Sequence, residues 1–335
     1  MNDPLATSVI PEPENPLTQP LDTLSHTGGE GRGEWNSDFS GTLRESRLTG
    51  SASDYELVRL KNGVHSIRSR AEGETFHPVI GPAAEAQALY VEQLRIPERM
   101  TNANEEFVIW DIGLGAAANV LTVLHATREV ATPVRIISFD WTLEPLRFAV
   151  EHAEPLGYFH HYADAARELL GTKSASFNDG RHRVAWSVIV DDFPTFVASE
   201  AAMQLPKPHA ILFDAFSPAK NPDMWTLPLF QRLFDLLDPE RPCAMPTYSR
   251  STLLRVTWLL AGFQVGFGEA TGEKEQTTIA ANTASLIEKP LDREWLERAH
   301  RSTSAEPLHD GRYVQQPILP ESWARLTNHP QFRAS

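Results

Sequence analysis

Cysteine is almost absent from this chain of 335 residues, which holds only Cys243. One thiol forms neither an internal disulfide framework nor a multi-cysteine metal site, and we expect no metal. Cys243 falls in a predicted strand, so we interpret it as a buried structural residue. Long apolar runs are missing too, and none approaches a membrane span. The N-terminus lacks a basic segment followed by an apolar one, so we expect a cytoplasmic protein without a secretory signal or a membrane partner.

Positive charge is also in deficit. The chain has 30 Lys and Arg against 44 Asp and Glu, a formal net charge of −14. Phosphate contacts need clustered cations, so this balance argues against a nonspecific nucleic-acid binder. A local basic patch remains compatible with it, and the candidates are Arg250 with Arg255, Arg68 with Arg70, and Lys220. Solvated surface charge is the alternative reading of each.

The chain divides into regions of different composition. Pro, Gly, Ser, Thr and acids dominate the first fifty residues, which predicts disorder there. An alternating pattern then predicts a hairpin over residues 55–60 and 64–67, and a helix follows over residues 83–94. The predicted regions are a disordered acidic tail (1–50), a small N-terminal α/β extension that packs on the core (51–100), a main domain (101–290) and a C-terminal extension (291–335).

Strands and helices alternate in the main domain. Fully apolar strands of this kind imply a parallel sheet covered on both faces, and the last two are close enough in sequence to form an antiparallel pair. Residues 174–183 are predicted to be a polar loop. The predicted strands are 107–112, 134–139, 186–190, 209–213, 243–248, 263–268 and 277–281. The predicted helices are 117–128, 143–152, 162–170 and 252–260.

The most informative segment is residues 211–225. An apolar strand ends in an acid, Asp214, and Pro218 and Pro222 stiffen the turn that runs to Trp225. Open α/β sheets bind ligands at the carboxyl ends of their strands. A merely structural connection is usually only about 2–6 residues long. We therefore expect this loop to hold a ligand beside Asp214.

A second candidate is the strand-to-helix turn Asp111-Ile112-Gly113-Leu114-Gly115. Glycine permits close backbone approach to a ligand, and a helix start offers free N–H groups. A tight turn without a ligand is the alternative. Asp140 ends the next strand, where an acid accepts from ribose hydroxyls or caps a helix. Asp192 ends a third strand, within reach of an adenine amino group. The turn and Asp140 fit a dinucleotide or S-adenosyl-L-methionine equally, whereas Asp192 and Asp214 favour the latter.

Because of these residues, the segment 107–282 resembles a class I S-adenosyl-L-methionine-dependent methyltransferase. That resemblance implies an α/β fold with a Rossmann-like sheet, mostly parallel with an antiparallel last strand. More narrowly, the chain is similar to the methyltransferase component of the MnmC family and its stand-alone relatives. The basis is the run Asp-Ala-Phe-Ser-Pro-Ala-Lys-Asn-Pro-Asp-Met-Trp at 214–225. Supporting matches are 112–115 with Asn119, 73–76 with Glu85, 247–249, and more weakly 266–268 with Lys274. The chain departs from the family at 116–118, where three alanines stand, and at 266–275, which is longer and less basic.

The resemblance implies an enzyme that methylates the aminomethyl group of 5-aminomethyl(-2-thio)uridine at the tRNA wobble position, using S-adenosyl-L-methionine. An upstream enzyme would supply the aminomethyl group. Asp214 is the expected catalytic residue, which would orient the amine and accept or relay its proton. The expected cofactor-binding residues are Glu85, Asp111, Gly113, Gly115, Asn119, Asp140 and Asp192. The expected substrate-binding residues are Phe216, Lys220, Trp225, Tyr248, Ser249 and Lys274.

Other functions fit part of the pattern. A methyltransferase for a small amine or another nucleotide suits the acidic charge, and a nucleotide-binding module without catalysis would bind cofactor without turnover. A dinucleotide oxidoreductase fits least. For Lys220, capping of the loop's own carbonyls competes with a phosphate contact.

Overall fold

The computed structural model describes residues 54–270 and 276–333. The predicted tail (1–50) and Lys274 lie outside the described residues. The first described element is a hairpin of β1 (Tyr55–Arg59) and β2 (His65–Ser69), whose strands pair antiparallel. The hairpin prediction is therefore confirmed. No helix in the described part of the chain is long and apolar enough to cross a membrane.

The helical segment after the hairpin has two forms. Helix α1 (Pro82–Ala86) begins with a proline, which is favourable where no N–H is needed, and it continues directly into a π-helix (Gln87–Glu92). The regular helix predicted over 83–94 is thus correct in place and wrong in form. The Tyr90 hydroxyl of the π-helix donates a hydrogen bond to the Phe213 carbonyl at 3.0 Å, which ties this segment to the main sheet. Helix α2 (Ile96–Thr101) follows and was not predicted.

An eight-stranded sheet forms the centre of the described residues, with the spatial order β5-β6-β4-β3-β7-β8-β10-β9. The strands are β3 (Phe107–Ile112), β4 (Val134–Asp140), β5 (Ser174–Asp179), β6 (His182–Val190), β7 (Ala210–Phe213), β8 (Ala244–Thr247), β9 (Gln264–Gly268) and β10 (Thr277–Ala281). Strands β6, β4, β3, β7 and β8 run parallel, while β5 and β10 run antiparallel to their neighbours. The predicted Rossmann-like sheet with an antiparallel last strand is confirmed.

The predicted polar loop over residues 174–183 is wrong. Strand β5 occupies most of it and pairs antiparallel with β6, which begins at His182 rather than at Trp186. The turn between them holds Gly180 at φ +56°. β5 lies at the edge of the sheet and alternates exposed with buried residues, so its polar composition conceals a strand.

Helices cover both faces of the sheet, as expected for parallel strands that are apolar throughout. In β3, Phe107 and Ile109 join one hydrophobic core, whereas Val108, Trp110 and Ile112 join the other. The four predicted helices of the main domain are confirmed, whereas four others in that domain and two in the predicted C-terminal extension were not predicted. The helices from α3 onward are α3 (Ala118–Thr127), α4 (Glu144–Glu151), α5 (Ala153–Leu156), α6 (Ala163–Thr172), α7 (Phe193–Val197), α8 (Glu200–Met203), α9 (Leu227–Leu236), α10 (Thr252–Ala261), α11 (Arg293–His300) and α12 (Pro320–Thr327).

The C-terminal segment shares the core of the sheet. Trp295 of α11 and Phe332 are buried in the same hydrophobic cluster as Trp110. The side-chain amide of Gln331 donates to the Val265 and Leu291 carbonyls at 2.8 Å each. The segment predicted as a C-terminal extension is therefore anchored to the edge of the sheet at β9.

Candidate functional site

The candidate site lies at the carboxyl edge of the sheet, between β3 and β7. The chain proceeds from β3 to β4 and β6 on one side and from β7 to β8 on the other, so this is the point where the strand order reverses. Open α/β sheets bind ligands at such a point. Asp111 near the end of β3, Asp140 at the end of β4 and Asp214 after β7 all lie at this edge.

The glycine turn after β3 presses its backbone against the Asp214 loop. Gly113 and Gly115 have φ angles of +92° and +50°, a region that L side chains rarely adopt. A Cβ atom at Gly113 would come within 2.6 Å of the Asp214 carbonyl oxygen. The N–H groups of Gly113 and Leu114 both donate to the Phe139 carbonyl. Glycine at position 113 is thus required by close approach of two backbones.

Asp140 holds the same turn from the neighbouring strand. Its Oδ2 accepts from the Gly115 N–H at 2.8 Å and its Oδ1 from the Thr142 N–H at 3.2 Å. Helix α4 begins later, with Leu143 as its N-cap residue, so Asp140 is not a helix cap. Burial raises the pKa of Asp140 to about 6, against the hydrogen bonds from Gly115 and Thr142. Binding of ribose hydroxyls by Asp140 stays a prediction.

Asp192 is a helix cap. Its Oδ2 accepts from the Thr195 N–H at 3.2 Å and from the Thr195 hydroxyl at 2.5 Å, at the start of α7. An N-cap acid satisfies helix N–H groups that have no partner within the helix. The adenine contact predicted for Asp192 stays a prediction.

Asp111 and Asn119 present buried polar atoms without partners. Asp111 is 1% exposed, and within the described residues neither of its carboxylate oxygens has a hydrogen-bond partner. The Oδ1 atom of Asn119 is likewise buried without a partner there. Burial raises the pKa of Asp111 to about 8, against the lowering influence of the nearby Ser138 hydroxyl, and the charges of Asp214 and Asp140 raise it further. Such atoms are costly unless a ligand satisfies them, and a cationic group fits the Asp111 carboxylate.

Asp214 receives contacts from two sides. The side-chain amide of Asn119, in α3, donates to Asp214 Oδ2 at 2.8 Å. The Nε2 atom of His77 lies 3.4 Å from the same oxygen. The other ring nitrogen of His77 lies 3.7 Å from Oε1 of Glu85, in α1. A histidine between two acids therefore links the N-terminal segment to the predicted catalytic residue.

His77 was not among the residues predicted from the sequence. The only available signal was its position, one residue after the segment 73–76 that accompanied Glu85 in the family resemblance. Burial lowers the pKa of His77, but the charge of Asp214 and the contact with the charged Glu85 outweigh it, and the pKa rises to about 9. Glu85, predicted to bind cofactor, is placed beside His77.

Two sets of contacts hold the loop after β7, one from Trp225 and one from residues 74–76. Trp225 is fully buried, packs edge-on against Phe213, and donates its indole N–H to the Phe216 carbonyl at 2.7 Å. Trp225 therefore shapes the loop and has no exposed face on which a base would stack. On the side of the N-terminal segment, the Ser217 hydroxyl donates a hydrogen bond to the Glu74 carboxylate at 2.6 Å. The Phe216 ring meets the Phe76 ring edge-on at 5.6 Å.

The remaining predicted substrate residues differ in their placement. Lys220 is exposed, and its ammonium makes no hydrogen bond or ion pair within the described residues, so the predicted alternative of capping loop carbonyls is not observed. Burial raises the pKa of Tyr248, and so do the nearby charges of Asp214, Glu74 and Glu85. The Ser249 hydroxyl accepts a hydrogen bond from the Ser251 N–H, and the Ser249 carbonyl accepts one from the Thr278 hydroxyl.

This chain is similar to known proteins in sequence and in fold. A family model described as S-adenosyl-L-methionine-dependent methyltransferase matches residues 160–283, a range that contains the Asp214 loop. The chain is similar to the tRNA 5-methylaminomethyl-2-thiouridine biosynthesis bifunctional protein MnmC of Methylibium petroleiphilum. The identity is 28% over 253 residues, which are 70% of this chain and 36% of that protein. MnmC from Aeromonas hydrophila is 29% identical over 210 residues, which are 58% of this chain and 30% of that protein.

Among solved structures, MnmC2 from Aquifex aeolicus matches with a TM-score of 0.60 and 23% identity, covering 88% of this chain and 92% of that chain. This likeness shows the fold. The chain spans about a third of the length of the curated relatives it matches.

Proposed function

We propose that this chain, which carries an S-adenosyl-L-methionine-dependent methyltransferase domain of the MnmC type, methylates the amino group of 5-aminomethyl(-2-thio)uridine at the wobble position of tRNA. The observation that carries the proposal is the Asp214 carboxylate, held by Asn119 and His77 beside the glycine turn. The names of the curated relatives support the choice of substrate. The proposal includes an upstream enzyme that supplies the aminomethyl group and a cytoplasmic location, where tRNA is found.

The residues at the carboxyl edge of β3 and β4 fit the cofactor. Asp111 would meet its ammonium group, since its buried oxygens have no partner within the described residues. Gly113 and Gly115 leave room for close backbone approach, and Asp140 holds that turn in place. When bound, S-adenosyl-L-methionine supplies a sulfonium methyl group, which the amine nitrogen takes up as S-adenosylhomocysteine leaves.

The acceptor amine must present a free lone pair in line with the methyl group. In the proposed mechanism Asp214 accepts a hydrogen bond from the amine and orients it. After methylation the nitrogen carries an extra proton, which Asp214 takes up or relays to water. An ordinary carboxylate is a weak base toward an ammonium, so positioning is its larger contribution.

The tRNA side of the proposal involves residues around the Asp214 loop. Lys220 is exposed and available to a phosphate, and Phe216 stands beside Asp214 as an aromatic wall for the base. Tyr248 would line the uridine side. Ser249 and Lys274 remain predicted contacts, the second outside the described residues.

The decisive experiment combines cells and purified protein. Nucleosides from wobble positions are compared by mass spectrometry in cells with and without this protein, and aminomethyl uridine is expected to accumulate at the expense of methylaminomethyl uridine. Purified protein with tRNA bearing the aminomethyl group is expected to transfer a labelled methyl group. Unchanged nucleosides together with no transfer would sink the proposal.

The net charge of −14 favours a second candidate, methylation of a small amine or another nucleotide. A panel of small amines and free nucleosides tested beside bulk tRNA separates the two. Transfer to a small amine with none to tRNA selects the second candidate.

A further inference from the structure

His77 lies between acids from two distant elements. Its Nε2 atom is 3.4 Å from Asp214 Oδ2, and its Nδ1 atom is 3.7 Å from Glu85 Oε1. The three side chains are only 9%, 18% and 13% exposed, in the order His77, Asp214 and Glu85. At this burial the charges interact through a medium less polar than water, so the contacts have more effect than surface ion pairs.

The backbone around His77 is fixed on the site. His77 has φ +48°, a region uncommon for a residue with a side chain. The preceding residue is held at both ends, since the Phe76 N–H donates to the Ile67 carbonyl and the Ser66 hydroxyl donates to the Phe76 carbonyl. The Phe76 ring also comes within 3.5 Å of a Cβ position built at Gly115. The segment therefore presents the imidazole to Asp214 in one orientation.

The charge balance at His77 favours an imidazolium. Burial lowers the pKa of His77, but Asp214 and Glu85 outweigh that effect and raise the pKa to about 9. Asp111, Tyr90 and Tyr248 are further titratable groups beside these acids. Burial raises the pKa of Asp111 to about 8, and it raises the pKa of both phenols, so the phenols stay neutral. Asn119, which also donates a hydrogen bond to Asp214, carries no charge.

We propose that His77 is a positioning residue for methyl transfer: backed by Glu85, it balances the charge of the Asp214 carboxylate and fixes that carboxylate toward the acceptor amine. The inference rests on the proposed function, because it assigns the purpose of orienting Asp214. It makes the N-terminal segment part of the reaction centre rather than a covering of the sheet.

The test uses His77→Gln and His77→Asn in the full chain, with tRNA bearing the aminomethyl group. Misplacement of a reacting group by about 1 Å costs on the order of 10²-fold in rate, and we expect a fall in kcat of that order with little change in cofactor affinity. In the unsubstituted protein kcat is expected to fall above about pH 9, as the imidazolium loses its proton. That alkaline limb is expected to be absent in His77→Gln.

A matched control is His209→Gln. His209 is also buried and lies 3.4 Å from an acid, Glu105, but it precedes β7 at the opposite edge of the sheet. We expect this variant to lower the melting temperature while the shape of the pH profile stays unchanged. A pH profile of His77→Gln that matches the control and the unsubstituted protein overturns the inference.

A measurement independent of turnover separates this inference from the proposed function. NMR titration of the His77 imidazole is expected to give a midpoint near 9, moving downward in both Asp214→Asn and Glu85→Gln. A midpoint that ignores both substitutions overturns the inference. The expected titration in a protein that methylates no tRNA supports the His77–Asp214 coupling and overturns the tRNA assignment alone.

Discussion

The proposed site has two halves, one assigned to the cofactor and one to the acceptor, and they differ in how they are assembled and in how their charge is balanced. The cofactor half comes from one strand-to-helix turn and the adjacent strand, and its central acid, Asp111, has no partner within the described residues. The acceptor half joins segments 143 positions apart in the chain, as the contact between Glu74 and Ser217 shows. Its acid, Asp214, already meets a cation, His77.

This difference indicates what each half is built to receive. A buried acid with a raised pKa and no partner is suited to a positively charged ligand group. An acid held by a histidine and an amide is suited to orient a group rather than to neutralise one. The substitutions below test that division, beginning with the largest expected effect.

Asp214→Asn removes the charge of the acceptor half and keeps its shape. We expect methyl transfer to fall by about 10²- to 10⁴-fold, the usual contribution of a group that handles a proton in the transition state. Cofactor affinity, measured by calorimetry, is expected to persist. Asp235→Asn, at an exposed position of α9, is the control. Equal losses of cofactor binding and turnover would show that Asp214 also serves cofactor binding, and would contradict the division into two halves.

Gly113→Ala alters the contact between the two halves, where the backbone of the glycine turn meets the backbone of Asp214. The added methyl group meets the Asp214 carbonyl at 2.6 Å in a backbone with φ +92°. We expect loss of both cofactor affinity and turnover, and a free energy of unfolding lower by about 1–3 kcal/mol. Gly171→Ala, in α6 with nothing within 4 Å, is expected to be neutral or slightly stabilising. Full retention of cofactor binding in Gly113→Ala would contradict the close approach.

Asp111→Asn separates stability from binding in the cofactor half. Because the pKa of Asp111 rises from 3.8 to about 8 on folding, its ionisation opposes folding, and the unliganded protein loses stability as pH rises between these values. The variant avoids that loss. We expect the difference in melting temperature between the variant and the unsubstituted protein to increase in favour of the variant from about pH 4 to pH 8. The cofactor affinity of the variant is expected to fall. Parallel melting curves across this range would show that Asp111 finds a partner in the unliganded protein.

Lys220→Ala is expected to have the smallest effect, confined to the acceptor half. Removing one phosphate contact raises the KM for tRNA and lowers the slope of binding against salt concentration by about 1, with cofactor affinity unchanged. Lys207→Ala is the control, because Lys207 precedes β7 at the opposite edge of the sheet. An unchanged salt slope would remove Lys220 from the tRNA surface.

The sequence predicted best the features whose parts are neighbours in the chain. The turn from β3 into α3 and the parallel strands follow from apolar runs, glycines and spacing within a few residues. Prediction failed where a local pattern was ambiguous. β5 is a polar edge strand, and the helix after the hairpin contains a π-helical stretch that no periodicity announces. For Asp192, the described contacts are those of a helix cap.

The sequence by itself determined the α/β class, and it predicted the carboxyl edge as the location of the site with Asp214 as its central acid. The succession of strands and helices along the chain and the position of an acid at a strand end are local properties, so the sequence alone reveals them. Only the tertiary structure decided what surrounds Asp214: the imidazole of His77, the amide of Asn119 and the buried Trp225 beneath its loop. These contacts join segments far apart in the chain, and packing rather than spacing brings them together.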